Sequence, residues 1–191
     1  FLYLPYTLPH VSLQAPAEAV KEYIGQFEEK PYRGQGGYAS TRYPYSTYAA
    51  MISYLDKQVG IIWDVVKKQG LEENTIIMFS SDNGATFVKQ VDAPFFESVG
   101  KLRGLKMDVY EGGIQIPMIA YWKNKIKAGQ TTDHISAQYD VMATCAELLG
   151  VKPTYPTDGI SFLPTLLNKN TQKQHEYLYI EYPENGGQLA I

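Results

Sequence analysis

The sequence predicts an α/β fold, in which helices cover the faces of a parallel sheet. Three observations support it: a long amphipathic helix at residues 46–69, an apolar strand after it at 75–80, and a second apolar strand at 116–122. A helix that leads through a short loop into an unbroken apolar strand is typical of an α/β layer, because the strands of such a layer are buried on both faces.

The composition describes a folded protein and excludes several functional classes. The 191 residues are 45% hydrophobic and 19% charged, which provides for a core and argues against disorder. The net charge of −3 argues against nucleic acid as the main partner, but leaves a small anionic substrate open. No apolar run approaches the roughly 20 residues of a membrane helix. The single cysteine, Cys145, excludes a disulfide within the chain.

The first predicted element is a short buried strand at residues 1–5. The apolar strand pattern starts at the first residue, with neither an initiator Met nor a signal peptide before it. This indicates a piece of a longer protein. Pro5 and Pro9 bracket a rigid loop that carries His10. Residues 16–43 are mixed and rich in turn residues.

The helix at 46–69 is the clearest element of the sequence. Its apolar residues recur every three or four positions and predict one inward face. They are Tyr48, Met51, Ile52, Leu55, Val59, Ile62, Trp63 and Val66. Lys67 and Lys68 suit the negative end of the helix dipole, and Gly70 is favourable just beyond the C-terminus.

The second half of the chain alternates connections with shorter elements. A long connection without a clear period covers 85–105, a helix at 136–149 is ended by Gly150, a helical segment lies at 162–167, and a last strand at 177–182 falls in a separate small sheet. The inward face predicted for the helix at 136–149 consists of Tyr139, Val141, Met142, Cys145, Leu148 and Leu149.

The stretch NTIIMFSSDNGA raises the main functional question, because an apolar strand ends there in Asp82 and Asn83. In an open α/β sheet, ligands bind at the carboxyl ends of the strands. A carboxylate and an amide oxygen are hard ligands that suit Ca²⁺ or Mg²⁺. The alternative is a simple turn that leaves the strand, with Gly84 supplying a positive φ. Two residues do not fill the roughly six to eight oxygen positions around Ca²⁺, so a metal site here needs further ligands.

A second candidate region is KLRGLKMDVYEGGIQIP. Lys101, Arg103 and Lys106 place three cations within six residues, where they could hold a tetrahedral oxyanion by charge-assisted hydrogen bonds. Gly112 and Gly113 allow either a tight turn or a close backbone approach before the next strand. The alternative interpretation is a solvated loop.

Histidine and tyrosine offer weaker signals. His10 follows the first predicted strand and is a candidate proton donor or anion contact, with a polar surface residue as the alternative. His134 and His175 have no strand-end context and are interpreted as surface residues. Some of the 16 tyrosines could form a platform for sugar stacking, although most are more simply core and rim residues.

Six stretches, in chain order, carry a family resemblance. They are FLYLPYTLPHVSLQAP, YAAMISYLDKQVG, NTIIMFSSDNGA, LRGLKMDVYEGGIQIPMIAYW, DGISFLPTLL and EYLYIEYPENGG. Together they resemble the C-terminal portion of a sulfatase of the arylsulfatase type, in the alkaline-phosphatase superfamily. The resemblance implies a partial alkaline-phosphatase-like layered sheet with helices on its faces. It places the catalytic α/β part at 1–170 and the start of a small C-terminal subdomain at 171–191.

The resemblance also implies roles for matching residues. Asp82 and Asn83 would be two ligands of an active-site Ca²⁺. Lys106 would contact the sulfate, and His10 would contact the sulfate or the ester oxygen and assist the leaving group. The substrate would be a sulfate-ester small molecule or a sulfated glycan, and the parent enzyme would be periplasmic, secreted or lysosomal.

The sequence departs from the family pattern in the groups that start the reaction. The family nucleophile is a formylglycine made from Cys or Ser in a C/S-x-P-x-R motif, which this chain lacks, and Cys145 lies in a predicted helix without that motif. The paired Asp ligands of the family's first strand are also missing. We therefore expect the isolated chain to hydrolyse no sulfate ester at a useful rate. Gln115, where the family often has Arg, and Thr86 leave the substrate preference open.

Two other readings remain. A phosphoric or phosphonic ester hydrolase of the same superfamily would use a similar metal edge with another nucleophile. A carbohydrate-binding or structural remnant would keep the fold without chemistry. The sequence upstream would discriminate among the three, since the C/S-x-P-x-R motif belongs to the sulfatase alone.

Overall fold

The computed structural model describes residues 1–89, 91, 93–184 and 186–191. The helices are α1 (Ala17–Lys21), α2 (Pro44–Lys68), α3 (Glu111–Ile114), α4 (Asp140–Leu149) and α5 (Leu163–Leu166), with a 3₁₀ turn at Glu72–Asn74. The strands are β1 (Ile77–Ser80), β2 (Met118–Tyr121), β3 (Ile180–Tyr182) and β4 (Gln188–Ala190). Gln90 and Asp92 of the predicted connection, and Asn185 of the last resembling stretch, lie outside the described residues.

The chain divides into two units, which are described separately. The first comprises Phe1–Gln69, Asn83–Lys106 and Tyr110–Gln115, and contains α1, α2 and α3. The second comprises Gly70–Asp82, Met107–Val109 and Ile116–Ile191, and contains the four strands with α4 and α5. The predicted packing of the long helix on the sheet stays a prediction, because the two fall in different units.

The long helix predicted from the apolar period is confirmed as α2. It begins at Pro44, two residues before the predicted start, and proline suits the first turn because its missing N–H needs no partner there. The Glu29 carboxylate accepts hydrogen bonds from the backbone N–H of Tyr45 (2.7 Å) and of Ser46 (3.2 Å). These satisfy donors that the start of a helix leaves open. Gly70 follows the helix with a φ of +65°.

The core of the first unit lies on one side of α2. Tyr48 and Met51 pack with Leu13 and Val91, all four buried. Burial raises the pKa of the Tyr48 hydroxyl, although a hydrogen bond with Ser98 opposes the shift. The predicted inward face was too wide. Ile52 remains 45% exposed, because the apolar stripe extends beyond the covered side of the helix.

Substitution of Met51 tests this packing. Met51 is 1% exposed, so Met51→Ala leaves a cavity in the core, and we expect it to lower the free energy of unfolding by about 2–5 kcal/mol. The neighbouring Ile52→Ala is the matched control and should change it by less than about 1 kcal/mol. Urea unfolding curves measure both, and equal effects would contradict the assignment of the buried face.

The two central strands form an antiparallel pair. Ile77 pairs with Tyr121 at one end, and Ser80 with Met118 at the other. The prediction of strands at 75–80 and 116–122 is confirmed with shorter bounds, whereas the parallel arrangement was wrong for this pair. Full burial was also wrong: β1 is half-buried or exposed, and Ile119 in β2 is 62% exposed. An apolar run is compatible with either strand direction, so the sequence pattern could not show that the two strands are antiparallel.

The strand predicted at residues 1–5 is not formed. Phe1, Leu2 and Tyr3 are each at least 73% exposed, and the segment has no described strand partner. A strand needs a neighbour for its backbone N–H and C=O groups, and an apolar run alone does not supply one.

The helices and the small sheet of the second unit follow most of the predictions. α4 ends at Gly150, which adopts a φ of +66°, and α5 corresponds to the segment predicted at 162–167. The face predicted for α4 is partly wrong, since Met142 is 67% and Leu149 is 74% exposed, and Tyr139 just before the helix is exposed too. The last strand is confirmed as β3, which pairs with β4 in an antiparallel ribbon. Among the described residues, no helix is both long and apolar enough to cross a membrane.

Candidate active site

The backbone leading into Asp82 is held by its neighbours in the second unit. The Ser80 hydroxyl donates to the carbonyl oxygen of Pro117 (2.9 Å), beyond the last pair of the β1–β2 ladder. The carbonyl of Ser81 accepts a hydrogen bond from the side-chain amide of Gln138 (2.5 Å). The Asp82 side chain is exposed. The strand therefore delivers a carboxylate to solvent from a fixed backbone.

Asn83 follows in the chain and belongs to the first unit. Its side-chain Nδ2 donates to the carbonyl of Gly84 (2.9 Å), so the nitrogen end of the amide is directed at its own loop. The oxygen end is the one that a hard cation takes. The donor set of Asp82 and Asn83 thus fits two positions of a Ca²⁺ or Mg²⁺ shell. Within the described part of the chain, no group of three or more His, Cys, Asp or Glu side chains is placed to hold a metal.

Three glycines bring separate motifs together within the first unit. Gly84, Gly104 and Gly112, here called the glycine junction, come from the DNG, RG and EGG stretches. Gly84 N donates to the carbonyl of Gly113 (2.8 Å), and Gly112 N donates to the carbonyl of Arg103 (2.7 Å). A Cβ on Gly84 would lie 2.1 Å from the Gly112 oxygen, and one on Gly112 would lie 2.0 Å from the Gly104 oxygen. Only glycine permits this approach.

Near the glycine junction, the backbone of Lys106 contacts the loop that follows Asn83. The backbone N–H of Lys106 donates to the carbonyl of Ala85 (2.7 Å), two residues after Asn83, and Lys106 is half-buried. The other two cations of the predicted cluster differ. Arg103 stacks on the Tyr110 ring at 3.7 Å, and Lys101 is exposed.

His10 lies in the first unit on a tight turn, where its backbone N–H donates to the carbonyl of Thr7 (2.8 Å). Its ring Nδ1 is close to the carbonyl of Val11, and the residue is exposed. These described contacts are local, so the role of His10 stays a prediction.

The interpretation of His175 as a surface residue was wrong. Its side chain is 10% exposed, and its Nε2 lies 2.9 and 3.0 Å from the two carboxylate oxygens of Asp140, which is fully buried. The edge of the Tyr139 ring packs against the imidazole, with 5.7 Å between centroids. The two partners are 35 residues apart, and no local sequence pattern links them.

An α/β chain in which polar side chains follow the end of an apolar strand is typical of proteins that bind ligands at a strand end. A family model described as Sulfatase matches residues 1–151. The chain belongs to the sulfatase family, whose members generally bind a metal ion.

Known relatives and solved structures agree with this assignment. The chain is 33% identical over 179 residues to the uncharacterized sulfatase YdeN of Escherichia coli K12, covering 93% of this chain and 29% of YdeN. It is 31% identical over 134 residues to N-acetylgalactosamine-6-sulfatase of Mus musculus, covering 69% of this chain and 25% of that protein. The chain therefore spans less than a third of the length of these relatives.

Among solved structures, Ps i-CgsB superposes with a TM-score of 0.69 at 28% identity, covering 85% of this chain and 32% of that one. The same protein in complex with k-i-k-neocarrahexaose gives a TM-score of 0.62 at 29% identity, covering 76% and 28%. These neighbours support the alkaline-phosphatase-like α/β fold, of which this chain forms a part.

Proposed function

We propose that the whole protein is a sulfuric-ester hydrolase, to which this chain contributes two metal ligands and a sulfate-binding cation. The observation that carries the proposal is the glycine junction. It joins the DNG, RG and EGG stretches by backbone contacts and places Lys106 beside the loop after Asn83. The alternative for the cation cluster is a solvated loop. Backbone contacts among three glycines are not expected of such a loop.

Each proposed residue has a separate task. Asp82 and Asn83 hold a divalent cation, for which we propose Ca²⁺ because both ligands are hard oxygens and the family resemblance implies it. When bound, the cation neutralises charge on the oxygens of the sulfuryl group. The ammonium group of Lys106 binds the same sulfuryl group. His10 contacts the sulfate or the ester oxygen and gives a proton to the departing alcohol.

Lys106→Ala tests the proposed sulfate contact. Lys106 stabilises charge that develops in the transition state, so its loss should lower kcat of the whole protein by about 10²–10³-fold, as the loss of one oxyanion donor does. Bound metal should stay at the parent level. Lys101→Ala, which removes an exposed lysine of the same loop, should leave kcat unchanged. Steady-state hydrolysis of an aryl sulfate measures all three proteins. Equal losses in both variants would point to a general charge effect and against a contact by Lys106.

For the substrate we propose a sulfated glycan. The support is the structural neighbour solved in complex with k-i-k-neocarrahexaose, and the relative named N-acetylgalactosamine-6-sulfatase. The experiment supplies the whole protein with sulfated oligosaccharides, para-nitrophenyl sulfate and para-nitrophenyl phosphate, and measures inorganic sulfate and phosphate release. We expect the highest kcat/KM on a sulfated oligosaccharide. Faster release of phosphate than of sulfate would instead indicate the phosphoric ester hydrolase.

We also propose the division at residue 170, with 171–191 opening a small C-terminal subdomain. The β3–β4 ribbon supports it, since both of its strands lie in that range. A periplasmic, secreted or lysosomal location of the whole protein is proposed on the family resemblance.

A further inference from the structure

A side-chain contact in the second unit connects two segments that no local sequence pattern links. The amide Nε2 of Gln138 donates to the carbonyl oxygen of Ser81 at 2.5 Å, across 57 positions of the chain. Ser81 stands directly before Asp82. Gln138 stands before α4, in a segment whose residues the sequence assigned only to a helix.

The segment of Gln138 is itself fixed by the buried carboxylate of Asp140. That carboxylate accepts hydrogen bonds from the backbone N–H of Ala137 (2.7 Å) and of Ile160 (2.7 Å), and it pairs with His175. The residues on both sides of Gln138 are therefore anchored, and Asp140 is fully buried. Because both oxygens of this buried carboxylate are hydrogen-bonded, the corner is a fixed support for the exposed amide of Gln138.

The contact acts on the peptide plane that precedes the proposed metal ligand. The carbonyl of Ser81 and the N–H of Asp82 belong to one planar peptide group, so fixing the oxygen fixes the plane. That plane fixes the N–Cα bond of Asp82 and so limits the directions that its Cα–Cβ bond can take. The Ser80 hydroxyl donates to the carbonyl of Pro117, the residue just before β2, at 2.9 Å, and so holds the residue before Ser81 as well.

We infer that Gln138 is a positioning residue that orients the Asp82 carboxylate for metal binding through the Ser81 carbonyl. The inference rests on the proposed function of Asp82. In this role Gln138 acts through the Ser81 carbonyl on where the Asp82 carboxylate lies before the metal arrives. Its loss therefore weakens metal binding and leaves the reaction of the metal-loaded protein unchanged.

Gln138→Met tests the inference, since methionine has a similar length and no amide donor. The probe is Ca²⁺ alone, titrated into the metal-free whole protein and followed by calorimetry. We expect a roughly tenfold weaker Ca²⁺ affinity, at the low end of the loss seen when partners of metal ligands are removed. Hydrogen exchange at the Asp82 and Asn83 amides should be faster than in the parent. kcat should return to the parent value at saturating Ca²⁺.

The matched control is Gln174→Met, because Gln174 is also an exposed glutamine of the second unit. Its side chain makes a hydrogen bond elsewhere, with His134 (3.1 Å). It should leave Ca²⁺ affinity and exchange unchanged. The inference is overturned if Gln138→Met matches the parent in both measurements while Asp82→Ala loses its metal. If Asp82→Ala itself keeps its metal, the proposed function fails, and the positioning role fails with it. Melting temperatures confirm that each variant is folded.

Discussion

Asp82→Ala in the whole protein is expected to abolish sulfate-ester hydrolysis while leaving the fold intact. The variant removes the only proposed ligand of this chain that carries a charge. Loss of partners that merely orient metal ligands already costs roughly 10–100-fold in metal affinity or activity, so the loss of a ligand should exceed that range. The melting temperature should hardly change, because the Asp82 side chain is exposed and its removal opens no cavity.

Asp133→Ala is the control for Asp82→Ala, since it removes another exposed aspartate of the second unit at a distance in sequence from the strand end. It should keep the activity of the parent. Steady-state kinetics and thermal unfolding of both variants measure the effect. If Asp82→Ala keeps full activity, the strand end is a simple turn.

Gly112→Ala is expected to destabilise the chain strongly, because it places a Cβ against neighbouring backbone atoms. The new Cβ would lie 2.0 Å from the carbonyl oxygen of Gly104 and 2.7 Å from that of Arg103, well inside van der Waals contact. Overpacking usually costs about 1–3 kcal/mol. Here the neighbours are backbone atoms that cannot change rotamer, so the cost should reach or exceed the upper end. Because the junction carries Lys106, hydrolysis of sulfate esters should fall as well.

Gly60→Ala is the control, and its expected change in the free energy of unfolding has the opposite sign. Gly60 lies in the middle of α2, and a Cβ there would meet nothing within 4 Å. Alanine forms helices better than glycine, so this variant should gain about 0.5–1 kcal/mol. Urea unfolding measures both substitutions. If Gly112→Ala is as stable as the parent, the close approach of the three glycine stretches is incorrect.

Features whose cause is local were predictable from the sequence. The position of α2 follows from its apolar period, and the C-terminal ends of α2 and α4 lie next to Gly70 and Gly150. The strand that ends in Asp82 and Asn83 was visible because an apolar run stops abruptly at polar residues. The family resemblance then assigned roles to these positions that spacing alone could not assign.

Features that depend on a distant partner were not predictable. The apolar residues 1–5 resembled a strand, but strand formation depends on a neighbour, and the described chain provides none. The antiparallel order of β1 and β2 depends on how the long connection between them turns. His175 and Asp140 lack any local pattern, because their pairing appears only when two segments 35 residues apart meet.

The glycine junction lies between these cases. Each glycine was visible in the sequence, and a close backbone approach was one of two possibilities given for Gly112, the other being a tight turn. That the partners are Gly84 and Gly104 emerged only from the structure, because backbone-to-backbone contact leaves no side-chain pattern to read.

The most direct test of the account is the Ca²⁺ content per molecule of the whole protein, measured side by side for the Asp82→Ala and Lys106→Ala variants at equal free Ca²⁺. The account predicts that Asp82→Ala loses the metal and that Lys106→Ala retains it at the parent stoichiometry while losing rate. A full complement of Ca²⁺ in Asp82→Ala would contradict the assignment of this strand end as a metal site.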